Sequence, residues 1–377
     1  MTAIDLDAFA LIHAAGAVQG FFLALTLALR RRNTFANRLL GLWIFVFSCD
    51  LLGVFLYEKG YLTQVPHLIA STYSFPFLYG PLLYLYTRAL TGAQTRLAPR
   101  QWLHLLPFGL HHLSMWPFYL QDGAAKAAYL RAFEESARSV DMELVSGLKI
   151  AHGLVYFILA FFALGKYQEA IRDSFSALER INLNWLRVLV RFQGGLMGII
   201  LALFLARLGG VDLGPTIDPI VYLGVTLLIY LVGYFGLRQP EIFAAAQTAT
   251  GEAKEKYART RLNEDRAQQY LQTLVDHMER EKPFRRSSLT LQELAAELSM
   301  GAHHLSQLIN DRLQQNFFDF VNSYRVKEVQ RRLHNADDQH LTILAIAYEA
   351  GFNSKSAFNN IFKKQTRMTP SQFKRQA

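Results

Sequence analysis

Cysteine is nearly missing. The single Cys49 in 377 residues excludes a disulfide framework and any zinc or iron–sulfur site built on several cysteines. Charge is scarce too: Asp, Glu, Lys and Arg make up 18% of the chain, against roughly 25% in an ordinary globular protein. No basic stretch precedes the first apolar run, where Asp5 and Asp7 stand instead, so no signal peptide is expected. A phosphate-binding glycine loop, an HExxH zinc motif, a serine elbow and a cysteine nucleophile pattern are all lacking. The expectation is therefore a protein that is not an enzyme, with no cofactor and no metal. Apolar residues are abundant instead, at 51%, with 28 Phe and 17 Tyr. That excludes a disordered chain. The net charge of +9 suits nucleic acid or anionic lipid and does not choose between them.

The chain changes character near residue 238. Before it lie seven apolar stretches, at 9–29, 38–57, 66–87, 101–120, 144–165, 187–208 and 217–237. Each is near the roughly 20 residues that a bilayer crossing needs. Lys and Arg count twelve in the loops after the first, third and fifth stretches and six on the other side. The basic side is the cytoplasmic one. The N-terminus is then expected outside and the C-terminal part inside, with all four Trp near span ends. Residues 1–237 read as a seven-helix membrane domain and 238–261 as a small, polar linker. Residues 262–282 read as a connecting helix with Ala267, Leu271, Leu274, Val275 and Met278 on one face. That face serves either a dimer contact or packing on the chain's own C-terminal domain.

Residues 283–377 carry the most specific pattern. Thr290 with Glu293 is a capping box that starts a helix. Ser299, Met300 and Gly301 form a turn, and Leu305, Leu308 and Ile309 mark a second helix. Helix, tight turn, helix is the helix-turn-helix signature. About 52 residues later it returns. Ile346, Ala347 and Glu349 echo Leu294, Ala295 and Glu297, while Phe358, Ile361 and Phe362 echo Leu305, Leu308 and Ile309. Gly351 ends the first helix of this second unit, Asn353 or Ser354 caps the next, and a helix from Phe317 to Leu333 joins the two units.

The stretch ILAIAYEAGFNSKSAFNNIFKKQTRMTPSQFKR resembles the AraC/XylS-type DNA-binding domain, as does the region from about 283 to 377 as a whole. Thr369, Pro370 and Gln372 resemble the start of that family's closing helix. Arg367 departs from it, standing where the family often has Gly. If that position needs a positive φ, Arg there costs stability. The membrane half resembles, more diffusely, the seven-span part of membrane-bound bacterial regulators of this type.

In such a fold the second helix of each unit enters the major groove. Helical geometry turns His303, Ser306, Gln307 and Asn310 outward in the first, and Ser356, Asn359, Asn360 and Lys363 in the second, with Lys355 at its start. The resemblance independently implies base contacts at His303, Ser306 and Gln307, and at Lys355, Ser356, Asn359 and Asn360. Gln and Asn can pair with adenine, and Lys can reach guanine. Arg325, Arg331, Arg332, Lys363, Lys364, Lys374 and Arg375 are the phosphate candidates. Residues 283–377 hold 13 basic and 8 acidic side chains.

The membrane half offers fewer signals. Asp50 sits inside the second stretch, where a carboxylate is costly and marks a candidate sensor residue. His104 and His111 share a face of the fourth stretch, and Pro76 and Pro81 are kink points in the aromatic third. Gly16 with Gly20, and Gly194 with Gly198, form GxxxG pairs.

The expected architecture is all-α: a seven-transmembrane-helix bundle followed by a soluble tandem helix-turn-helix domain. The expected function is transcription regulation from the bacterial cytoplasmic membrane, with the C-terminal domain in the cytoplasm. Residues 239–282 would carry the signal to it. Double-stranded promoter DNA, the lipid bilayer and an unidentified ligand are the expected partners, with a homodimer and RNA polymerase as further ones. The rival readings are a transporter, or an adaptor, with a helical regulatory tail.

Overall fold

The computed structural model describes residues 6–31, 34–92, 94–135, 140–179, 181–211, 217–237 and 264–376. The expected linker 238–261 and the first residues of the expected 262–282 helix lie outside these. Among the described residues the structure is helical, with one isolated bridge pairing Phe175 and Thr290. The chain divides into two compact units. One holds Met1–Leu164 and Leu183–Gln239, the other Gly165–Asn182 and Pro240–Ala377.

The first unit contains α1 (Leu6–Leu29), α2 (Thr34–Glu58), α3 (Pro76–Thr91), α4 (Leu106–Ser114), α5 (Trp116–Tyr119), α6 (Gly123–Glu135), most of α7 (Val140–Ser174), α8 (Asn184–Leu208) and α9 (Ile217–Leu237). Four helical stretches are long and apolar enough to cross a membrane: Ala8–Leu29, Thr34–Glu58, Asp141–Ser174 and Asn184–Leu208. Ile220–Gly236 is apolar but shorter.

The expected third and fourth stretches are not uninterrupted helices. Residues 61–75 form 3-10 and other turns before α3 begins at Pro76. Residues 99–119 are a 3-10 segment, α4 and α5 in succession. Proline explains both. It supplies no N–H and fits the first helical turn, so it starts helices more readily than it continues them. Pro76, Pro99, Pro107 and Pro117 each stand in the first two positions of a new segment. Pro76 is thus a helix start, and only Pro81 lies inside α3.

Close approach holds α1 in place. A Cβ on Gly20 would lie 2.0 Å from Ser48 Oγ of α2, and one on Gly16 2.8 Å from Thr226 Cγ2 of α9. The second GxxxG pair is only half used, because Gly194 abuts Phe157 while Gly198 has open space.

The second unit contains α10 (Glu264–Arg280), α11 (Leu291–Glu297), α12 (Ala302–Leu313), α13 (Phe317–Leu333), α14 (Ile343–Glu349), α15 (Lys355–Thr366) and α16 (Pro370–Gln376). Its caps are local. Thr290 and Glu293 bond each other's backbone N–H at 3.2 and 2.8 Å, and Thr369 with Gln372 does the same for α16 at 2.9 and 3.3 Å. Ser354 caps α15. Asn316 and Thr342 cap α13 and α14.

Two apolar cores share α13. Phe317, Phe320 and Val321 pack with Leu294, Ala295, Leu305, Leu308 and Ile309, and with Ala267, Leu274 and Met278 of α10. The connecting helix therefore packs on its own unit. Val326, Val329 and Leu333 pack with Ile346, Ala347, Phe358 and Phe362.

Arg367, just past α15, adopts φ 64°. A side chain in this left-handed region is strained by about 1–2 kcal/mol. Arg367→Gly is expected to stabilise the protein by about 1 kcal/mol, read as a raised unfolding midpoint of the full chain in detergent. A lowered midpoint would show that the arginine makes a compensating contact.

Candidate nucleic-acid interface

Each candidate reading helix is held by its apolar face. On α12, Leu305, Leu308 and Ile309 are buried, which leaves His303 exposed and Ser306, Gln307 and Asn310 half-buried. Asn310 Nδ2 lies 3.4 Å from Ser306 Oγ, so these two side chains are already neighbours on that face. On α15, Phe358 and Phe362 are buried, while Lys355, Ser356, Asn359, Asn360 and Lys363 are exposed. All eight base-reading candidates thus lie outside the cores, four on each helix. The arrangement offers amide, hydroxyl, imidazole and ammonium groups, the chemistry that base edges require.

Arg325 differs sharply from its expected role. It is 1% exposed and lies between the two cores. All five of its N–H donors are used. Nε donates to Phe284 O at 2.8 Å. Nη1 donates to Ser176 O at 2.9 Å and Asn322 Oδ1 at 3.1 Å. Nη2 donates to Ser176 Oγ at 3.0 Å and Arg286 O at 2.8 Å. A guanidinium so enclosed presents no donor to a phosphate. Burial draws its pKa down to about 10, so it remains charged at neutral pH. No local pattern signals this burial, nor the parts played by Ser176 and Asn322.

The other phosphate candidates divide into two groups. Arg332 is held by Asp338 and Glu349, with its side chain 12% exposed. Arg331 is more open but pairs with Glu328. Lys364 reaches Asp319 at 3.3 Å, as an exposed pair that gives way easily. Lys363 and Arg375 are exposed, and Lys374 is half-buried.

Glu328 is itself buried, 6% exposed, and accepts from Arg331 and Arg285. Arg331 first, then Arg285, hold its carboxyl at about 2 against the opposing effect of burial.

The sensor candidates fall in the first unit and do not converge on one another through the bonds they make. Asp50 accepts a 2.6 Å bond from Tyr79 Oη of α3. His104 pairs with Tyr156 Oη and His111 with Ser74 Oγ, each at 2.8 Å. Among the described residues no three His, Cys, Asp or Glu side chains are grouped as a metal site.

Residues 294–376 match a helix-turn-helix domain family. The C-terminal part of this chain is thus a helix-turn-helix domain, of the kind that binds DNA. It is similar to uncharacterized HTH-type transcriptional regulators of Staphylococcus aureus. Those of strains COL and MSSA476 are each 29% identical over 113 residues, which is 30% of this chain and 14% of the relative. The chain therefore covers only about a seventh of the length of these relatives. No solved structure matches.

Two measurable properties depend on this geometry, acid stability and DNA preference. Glu328 has its pKa lowered from an ordinary 4.5 to about 2, so its stabilisation is whole above pH 4.5 and is lost as pH falls through 2. The loss is at most about 3 kcal/mol. Glu328→Gln should flatten that part of the curve of unfolding free energy against pH, and an unchanged acid limb would refute the assignment. Second, Gln307→Ala and Asn360→Ala should each cost about 1–3 kcal/mol of DNA binding and relax preference at different base pairs. Lys364→Ala should weaken binding to all sequences alike and reduce the salt slope. Binding-site selection with the full chain reads all three. Gln307→Ala and Asn360→Ala altering the same base pairs would show that the two helices do not read separate positions.

Proposed function

We propose that the chain is a membrane-embedded, sequence-specific transcription regulator. A seven-helix domain in the bacterial cytoplasmic membrane senses an unidentified signal, and the tandem helix-turn-helix unit binds promoter DNA from the cytoplasm. The observation that carries the reading is a pair of polar helix faces, on α12 and α15, mounted on the single spine α13, in a chain that also has four long apolar helices. The remaining crossings would be α3, α9 and the succession of helical turns from Pro99 to Tyr119. At about 1.5 Å per residue α13 is a stiff spacer of roughly 25 Å. Such a spacer suits two helices in successive major grooves, about 34 Å apart. The site on DNA would then be asymmetric and about two turns long. Asp50 with its Tyr79 partner is the leading sensor residue, since a carboxylate between apolar helices is retained at a cost.

Chromatin immunoprecipitation of the full-length protein tests DNA binding while tethered, and enrichment of discrete promoter sites is expected. Topology is tested in a Cys49→Ala background. An impermeant maleimide should label Ala128→Cys in intact cells and spare Glu169→Cys until the cells are opened; both positions are exposed. The reverse pattern would rule out a cytoplasmic DNA-binding unit.

A further inference from the structure

Residues 165–182 run from the end of one long apolar helix toward the start of the next, yet they fold with the C-terminal unit. They comprise the end of α7 and the turn after it. Phe175 pairs with Thr290 as a one-residue antiparallel bridge. Ser176, 1% exposed, is the centre of the attachment. Its N–H and Oγ both donate to Leu289 O, at 3.1 and 2.7 Å. Its carbonyl accepts from Asn322 Nδ2 at 3.1 Å and Arg325 Nη1 at 2.9 Å, and its Oγ from Arg325 Nη2 at 3.0 Å. Arg172 adds an ion pair to Asp319 at 3.0 Å, on the carboxylate that also meets Lys364 of the reading helix α15. Glu179 supplies negative charge toward the buried guanidinium.

This arm fills a need of the DNA-binding unit. Without Ser176, two of the five donors of Arg325 lose their acceptors inside the protein. A buried charge with lost partners is strongly destabilising. The same guanidinium holds Phe284 O and Arg286 O ahead of α11. It also underlies the turn after α14, where a Cβ on Gly351 would lie 2.9 Å from Arg325 Nε. Seating or withdrawing one serine therefore reaches both helix-turn-helix units at once.

We propose that residues 165–182 are a docking arm through which α7 controls the DNA-binding unit: with Ser176 seated on Arg325 the two reading helices are held for DNA, and with it withdrawn they are not. The proposal rests on the membrane-regulator reading above. It replaces the 239–282 segment as the conduit, since α10 within that segment is packed into the first core.

The test uses the full chain in lipid nanodiscs, in the Cys49→Ala background, with the duplex that the unaltered chain selects. Phe175→Cys with Thr290→Cys should form a disulfide under mild oxidation. One alanine inserted after Gly165 turns the arm by about 100° relative to the helix before it. This should abolish the disulfide and lower DNA affinity at least about tenfold. Ser176→Ala, which keeps the backbone contacts, should lower affinity in the same direction and less. One alanine inserted after Gly251 should leave both readouts unchanged. The proposal is overturned if the disulfide does not form, if the Gly165 insertion leaves affinity unchanged or raises it, or if the Gly251 insertion has the larger effect. Failure of the unaltered chain to bind any duplex in a salt-dependent manner would instead overturn the functional reading, and the disulfide yield would still report on docking.

Discussion

A buried guanidinium sets the terms for the DNA-binding unit. Removing such a charge from water costs several kcal/mol, and only a full set of well-placed acceptors offsets it. Arg325 has that set, and three of its acceptors are main-chain carbonyls, of Ser176, Phe284 and Arg286. Carbonyls are positioned by the backbone, so satisfying the arginine fixes the turns that carry them. The planar fork of five donors is what makes this possible; a lysine brings three, around a point charge. Gly351 follows from the same constraint. Its φ is +102°, and a Cβ there would meet Phe284 O at 2.2 Å as well as the arginine.

The two cores on either side are ordinary apolar packing, and α13 belongs to both. Its polar residues are therefore pressed into internal service. Arg325 joins the cores, Arg331 neutralises Glu328, and Arg332 ties α13 to α14 through Glu349. Exposed positive charge on α15 and α16 comes from Lys355, Lys363, Lys364 and Arg375, with Lys374 half-buried. The spine gives position and the last helices give charge.

What could be read from the sequence was local. The capping boxes at Thr290 and Thr369 each involve residues three apart, and both are formed. The strain at Arg367 was legible only through the resemblance, whose family often has Gly at this position, and the observed φ of 64° fits it. The outward faces of α12 and α15 were legible because periodicity alone separates them from Leu305 or Phe358. The third and fourth apolar stretches are interrupted where hydropathy alone reads them as continuous, because hydropathy weighs side chains and ignores the missing N–H of proline. Arg325 misled for the opposite reason. On a helix rich in polar residues it reads as a surface cation, and its burial depends on Ser176, a partner 149 positions away.

That distance also affects where the DNA-binding unit begins. A division near residue 238 assigns Ser176 to the apolar N-terminal part, yet its carbonyl and hydroxyl lie against Arg325. A piece of the chain starting at residue 262 would carry the whole tandem motif and lack both acceptors. Hydrogen bonds to charged groups contribute about 1.5–3 kcal/mol each, while domains are stable by only about 5–15 kcal/mol in total. Losing two such bonds is a sizeable fraction of that margin. The helix-turn-helix motif is continuous in sequence, but the folded unit that presents it is not, because its central charge is satisfied from the turn between α7 and α8.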